Sequence, residues 1–164
     1  MTAPVLAVGI GSWGNSDDAA GLLLAQAISR RSFPEVDVVV SPGPPVELLD
    51  GSTRELVLVL DAVRLGAAPG TVHLFRAAPA SSPGDAGSHR WRAAQWLGLR
   101  QALGCPGCPV AVLGIEPGTL ESGFGVTPEV MAGIELAVTK AEQLVGNLQR
   151  GELPLLAPEP LNCF

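Results

Sequence analysis

No apolar run in the chain approaches the roughly 18–20 residues that a helix needs to cross a bilayer, so no membrane span and no membrane partner are expected. Basic residues are scarce. Ten Lys and Arg stand against 16 Asp and Glu, for a net charge of −6. No Lys/Arg stripe offers the cations that a phosphate backbone requires, which argues against a nucleic-acid surface. Cysteine is limited to three residues, an odd number that builds no disulfide framework. Met1-Thr2-Ala3-Pro4 opens without a basic region, so no secretory leader is expected and the cytoplasm is the expected compartment. The H-E-x-x-H helix of zinc peptidases and the G-x-S-x-G elbow of serine hydrolases are both missing, as are internal repeats.

What remains is a compact pattern of alternating elements. At 164 residues and 47% apolar content, the chain is long enough for one well-cored domain. Strands are expected at 4–10, 36–40, 56–60, 71–76 and 109–115. Helices are expected from a Ser16 N-cap to about Arg31, briefly at 46–50, from a Ser88-capped start near Arg90 to Leu103, and from Pro128 to about Leu148. A Ser-, Pro- and Gly-containing loop fills 77–87. One domain spans 1–150, and a Pro-rich stretch at 151–164 reads as an irregular tail. Strands alternating with helices give the fold class: α/β, a three-layer α/β/α sandwich around a mostly parallel five-stranded sheet.

The chemistry is suggested by carboxylates at the ends of apolar runs. Leu56-Val57-Leu58-Val59-Leu60 has no polar break and reads as a strand buried on both faces. Asp61 follows it directly, at the carboxyl end, where open α/β sheets place their ligands. Asp17-Asp18 follows the first strand and would reach the same edge. A carboxylate flanked by Leu60 and Ala62 is costly to bury without a partner, whereas acids at a helix start are commonly structural. His89 opens a helix after a loop. It is either an exposed residue without a role or a third ligand, and two carboxylates with one imidazole form an open O/N set suited to nickel, zinc or similar divalent ions. His73, in an alternating strand, reads as solvent-facing.

Two further motifs match a pattern without its context. Gly9-Ile10-Gly11-Ser12-Trp13-Gly14 fits G-x-G-x-x-G, yet Asp17-Asp18 would repel a pyrophosphate there, and Ser41 stands where the ribose-binding acid belongs. Asp37 lies at the wrong end of that strand. Cys105-Pro106-Gly107-Cys108 follows a helix and precedes a strand, the reverse of a thioredoxin-type site, and only Cys163 is left to complete a zinc set. It reads as a tight turn with incidental thiols.

In order, Val8-Gly9-Ile10-Gly11, Asp17-Asp18-Ala19-Ala20-Gly21, Leu58-Val59-Leu60-Asp61-Ala62-Val63, Ala68-Pro69-Gly70-Thr71-Val72, Ser88-His89, Leu113-Gly114-Ile115-Glu116-Pro117 and Phe124-Gly125-Val126-Thr127-Pro128-Glu129-Val130 resemble the hydrogenase maturation proteases. The resemblance covers about Val5 to Val138. It implies an endopeptidase that removes the C-terminal extension of a nickel-loaded NiFe-hydrogenase large-subunit precursor. It also implies that Asp18, Asp61 and His89 are both the nickel ligands and the catalytic set. The nickel is supplied by the substrate, no organic cofactor is implied, and the protein is expected to act as a monomer. The chain departs from the family's usual pattern at Ser12, Ser16, Ala19 and Ser41-Pro42-Gly43-Pro44, which bears on substrate choice. A non-catalytic relative that binds the loaded precursor is the alternative, and a nucleotide-binding module the third reading.

Overall fold

The computed structural model describes residues 3–49, 53–77, 92–104, 107–152 and 156. Five strands form one sheet in the order β2-β1-β3-β5-β4. They are β1 (Val5–Ile10), β2 (Val36–Ser41), β3 (Leu56–Ala62), β4 (Val72–Arg76) and β5 (Val110–Ile115). The pairs β1–β2, β1–β3 and β3–β5 are parallel, while β4 runs antiparallel on the outer side of β5.

β1 and β5 are buried along their whole length, and β3 is buried up to its last residue. Helices cover both faces, which is why the central strands read as unbroken apolar runs rather than as alternating ones. Leu56, Leu58 and Leu60 face a layer made by α1 (Ala20–Arg31) and α3 (Pro128–Gln149). Val57 and Val59 face the opposite layer, where α2 (Arg92–Ala102) contributes Leu97 and the 3₁₀ turn Val46–Leu49 contributes Leu48. This is the three-layer α/β/α arrangement expected from the sequence. Leu58 is 1% exposed at the centre of the larger core. Leu58→Ala should therefore lower the unfolding free energy by about 2–5 kcal/mol, read as a shifted urea midpoint with an unchanged slope.

The ends of the helices follow local chemistry. α1 closes on Ser32 in the left-handed region, with Arg30 and Arg31 in its last turn against the negative end of the dipole. Thr127 in extended conformation and Pro128 at the first position start α3. From there Val130, Ile134, Ala137, Val138, Ala141, Leu144, Val145 and Leu148 repeat at helical spacing and are buried.

The start of α1 differs from the expectation. Ser16 is not its N-cap: residues Ser16–Ala19 form a 3₁₀ turn and the α-helix begins at Ala20. Ser16 itself has φ +49, and it is held by non-local bonds, its N–H donating to the Gly123 carbonyl and its hydroxyl to that of Glu121. Tertiary contacts outcompeted the local cap. The loop expected at 77–87 and the helix cap at Ser88 lie, apart from Ala77, outside the described residues, as does most of the 151–164 stretch. Among the described residues no helix is long and apolar enough to cross a membrane.

Candidate active site

The carboxyl ends of β1 and β3 are adjacent, and glycines let the chain after β1 settle on them. A Cβ on Gly11 would lie 2.0 Å from the Asp18 carbonyl oxygen, and one on Gly21 would lie 2.2 Å from the Leu60 oxygen and 2.4 Å from that of Ile10. The turn carrying Asp18 is thus pressed against the end of β1, and the first residues of α1 against the residue before Asp61. Asp61 is 6% exposed and pairs in register with Gly114 of β5. Asp18 is partly exposed. The sheet edge thereby brings the turn that carries Asp18 close to the end of β3, which carries Asp61.

The same contacts account for the G-x-G-x-x-G match. A Cβ on Gly9 would meet the Gly21 oxygen at 2.4 Å and the Ala25 Cβ at 2.5 Å. The space beside Gly9 is filled by α1 and that beside Gly11 by the Asp18 turn, whereas a Cβ on Gly14 would meet nothing within 4 Å. Gly9 and Gly11 thus serve close packing of the following segment on the strand, one of the roles glycine takes in such turns.

Asp17 is the residue that sequence reasoning undervalued. It is 0% exposed. Its Oδ2 accepts from the amides of Gly118 (2.8 Å) and Thr119 (3.0 Å) and from the Thr127 hydroxyl (3.0 Å), while Oδ1 accepts from the Thr127 amide (2.7 Å). Burial alone would raise its pKa. The amides of Thr127, Thr119 and Gly118 and the Thr127 hydroxyl outweigh that and hold it below the ordinary value of 3.8. Asp17 therefore stabilises the fold at neutral pH, and this contribution is lost as pH falls below about 4 through the lowered folded value. Asp17→Asn should lower the urea midpoint at pH 7 and flatten its decline between pH 5 and pH 3 relative to the unsubstituted protein.

Glu116 forms a second buried acceptor at the same edge, 2% exposed. Its Oε2 accepts from the Leu65 amide (2.9 Å) and lies 3.0 Å from His73 Nε2, and its Oε1 accepts from the Gly66 amide (3.1 Å). His73 is therefore not the solvent-facing residue expected from strand alternation. Alternation predicted exposure, but the buried carboxylate at the end of β5 draws the imidazole in. Glu116 carries the same signal that marked Asp61, an acid directly after a fully apolar strand, and could have been found by it.

Away from this edge, Asp37 and Cys108 are among the described residues. Asp37 sits at the amino end of β2, where Arg54 pairs with it and holds its pKa below the ordinary value. The Cys108 thiol is pushed up by burial, as an inert cysteine would be. Cys105 lies outside the described residues, and so does His89. α2, which follows His89 in sequence, packs on the sheet face to which Asp61, Gly114 and His73 belong by register. Its last turns reach Arg76 and Val110 at the amino edge, so its first residue, Arg92, heads the carboxyl edge. Among the described residues no three His, Cys, Asp or Glu side chains form a metal-binding group.

The fold is an α/β sheet with acids at its carboxyl edge, and the sequence carries neither the G-x-S-x-G elbow nor the H-E-x-x-H helix. The chain belongs to the hydrogenase maturation protease family, whose model (HycI) matches residues 36–144. It is 27% identical to the Hydrogenase 2 maturation protease of Escherichia coli K12, over 96% of this chain and 98% of that protein. The solved hydrogenase maturating endopeptidase HybD of E. coli is similar at 26% identity, with 90% of this chain and 93% of that one covered and a TM-score of 0.68. The [NiFe] hydrogenase maturation protease HybD of Thermococcus kodakarensis shares the fold at 24% identity, with 85% and 97% covered and a TM-score of 0.65. The protein is thus a peptide-bond hydrolase of the hydrogenase maturation class.

Proposed function

We propose that this protein removes the C-terminal extension of a NiFe-hydrogenase large-subunit precursor once nickel is in place, and that Asp18, Asp61 and His89 grip that nickel. The observation that carries this reading is the meeting of Asp18's turn and Asp61 at one sheet edge, enforced by the backbone contacts at Gly11 and Gly21. Two carboxylates and an imidazole are a hard-to-borderline donor set with open positions, which suits a divalent ion that arrives with ligands of its own. The metal belongs to the substrate, so the free protein needs no tight site. Residues 1–150 carry the whole arrangement in one domain, acting as a monomer in the same compartment as the precursor, the cytoplasm.

Nickel held there supplies Lewis acidity, either at the scissile carbonyl or on a water whose pKa falls from about 16 towards 7. The chain's own part is positional. Asp18, from the turn after β1, and Asp61, from the end of β3, would hold the ion, and the partly buried edge limits the water that would weaken their attraction to it. The test is mass spectrometry of a large-subunit precursor incubated with the protein, with and without nickel. A short C-terminal peptide should be released from the nickel-loaded precursor alone. Release from both forms, or from neither, would contradict nickel-gated processing.

A further inference from the structure

The proposed nickel ligands sit on separate segments, and their spacing has to be held to within about 0.5 Å for both to reach one ion. Asp61 is carried by β3, whose register with β5 is fixed by the ladder. Asp18 is carried by the 3₁₀ turn Ser16–Ala19, which has its inter-segment backbone bonds elsewhere: Ser16 N–H to the Gly123 carbonyl (2.9 Å) and Asp17 N–H to that of Thr119 (3.2 Å). Beside the close packing at Gly11 and Gly21, the stretch that leaves β5 therefore ties the turn to the strand by hydrogen bonds.

That stretch grips both sides. At one end, the buried Glu116 carboxylate receives the Leu65 and Gly66 amides, fixing the chain as it leaves Asp61. The Glu116 amide and carbonyl also bond to the Thr71 carbonyl and the Gly70 amide, each at 2.8 Å. Two residues on, the Gly118 and Thr119 amides donate to the buried Asp17 carboxylate, directly beside Asp18. Pro117, itself buried, lies between them and restricts the backbone there. Two acceptors that are nearly inaccessible to solvent thus brace a four-residue bridge from opposite ends.

We propose that the 116–119 segment is a staple that sets the distance between Asp18 and Asp61, with Asp17 and Glu116 as its positioning residues for the hydrolysis. This rests on the assignment of Asp18 and Asp61 as nickel ligands. Neither Asp17 nor Glu116 reaches the substrate. Each acts through the neighbouring ligand, and because both adjust the same distance, loss of one makes the other redundant.

The experiment is kinetic. Asp17→Asn and Glu116→Gln, singly and together, are assayed on nickel-loaded precursor at low temperature, with near-UV circular dichroism reporting the folded fraction. Both substitutions keep the shape but put an NH₂ group against backbone donors. Each folded single variant should lose roughly 10- to 100-fold in kcat with KM unchanged, as expected for a misplacement of about 1 Å. The double variant should lose no more than the larger single, because the two changes relax one shared spacing. Wild-type kcat in the folded singles, or losses that multiply in the double, would overturn the staple. If Asp17→Asn does not fold, Thr127→Val removes one donor to Asp17 and leaves the charge in place. A lowered kcat at constant KM supports the staple, and an unchanged kcat overturns it. Asp61→Asn, run alongside, separates the two levels: wild-type processing by that variant removes the ligand assignment itself, whereas its loss with intact Asp17 and Glu116 variants removes only the staple.

Discussion

Asp61→Asn is expected to abolish processing of nickel-loaded precursor while leaving the fold intact. The carboxylate is 6% exposed at the end of β3, so its charge is held in a poorly solvated place. Asparagine is nearly isosteric and neutral, which spares the fold a buried charge. It is also a far weaker ligand for a divalent ion. Lewis acidity accounts for several kcal/mol of transition-state stabilisation, and each 1.4 kcal/mol is a factor of ten, so the rate should fall by about 10²-fold or more. The readout is the initial rate of C-terminal peptide release by mass spectrometry, beside a thermal melt. Asp18→Asn should follow the same pattern. An Asp61→Asn protein that cuts at the wild-type rate would take that residue out of the reaction.

The second large effect concerns a helix glycine whose replacement should have the opposite sign from the usual one. Alanine in place of glycine within a helix ordinarily stabilises by up to about 1 kcal/mol. Gly21 lies in α1, but a Cβ there would sit 2.2 Å from the Leu60 oxygen, 2.4 Å from the Ile10 oxygen and 2.8 Å from the Leu60 carbonyl carbon. These are backbone atoms of two central strands and cannot swing aside. Gly21→Ala should therefore push α1 off the sheet and cost about 1–3 kcal/mol or more net of the propensity gain. The displaced helix would carry Asp18's turn with it, so activity should fall further than the folded fraction. Gly146 in α3 is the internal control: a Cβ there would have Arg150 Nη1 as its nearest neighbour, at 3.7 Å. Gly146→Ala should be neutral or stabilising. Equal urea midpoints for the two alanine variants would show that the close approach at Gly21 is not what holds α1 in place.

The elements legible in the sequence were those with a strong one-dimensional signature. β3 and β5 were readable because burial on both faces leaves a continuous apolar run. α3 was readable because its buried positions recur at helical spacing and Pro128 marks its start. Asp61 stood out as a charge placed directly after such a run. His73 was misread because alternation in an edge strand says which face a side chain takes, not what awaits it there. The partner, Glu116, is 43 residues away in sequence. The start of α1 was misread for a related reason: Ser16 has the composition of a cap, but its donors are claimed by carbonyls of Glu121 and Gly123, more than 100 residues along the chain.

By itself, then, the amino-acid sequence determined the layers of this protein and put Asp61 and the Asp17-Asp18 pair at the rim, because hydrophobic periodicity and strand-end position are local properties. It also carried the ordered motifs that place the chain among the hydrogenase maturation proteases. Only the tertiary structure decided that Asp17 points inward while its neighbour Asp18 remains partly exposed. Two identical residue types, adjacent in the chain, part ways because the amides of Gly118, Thr119 and Thr127 converge on just one of them. The fate of a buried carboxylate depends on which donors the fold delivers to it, and those come from segments that no local pattern connects.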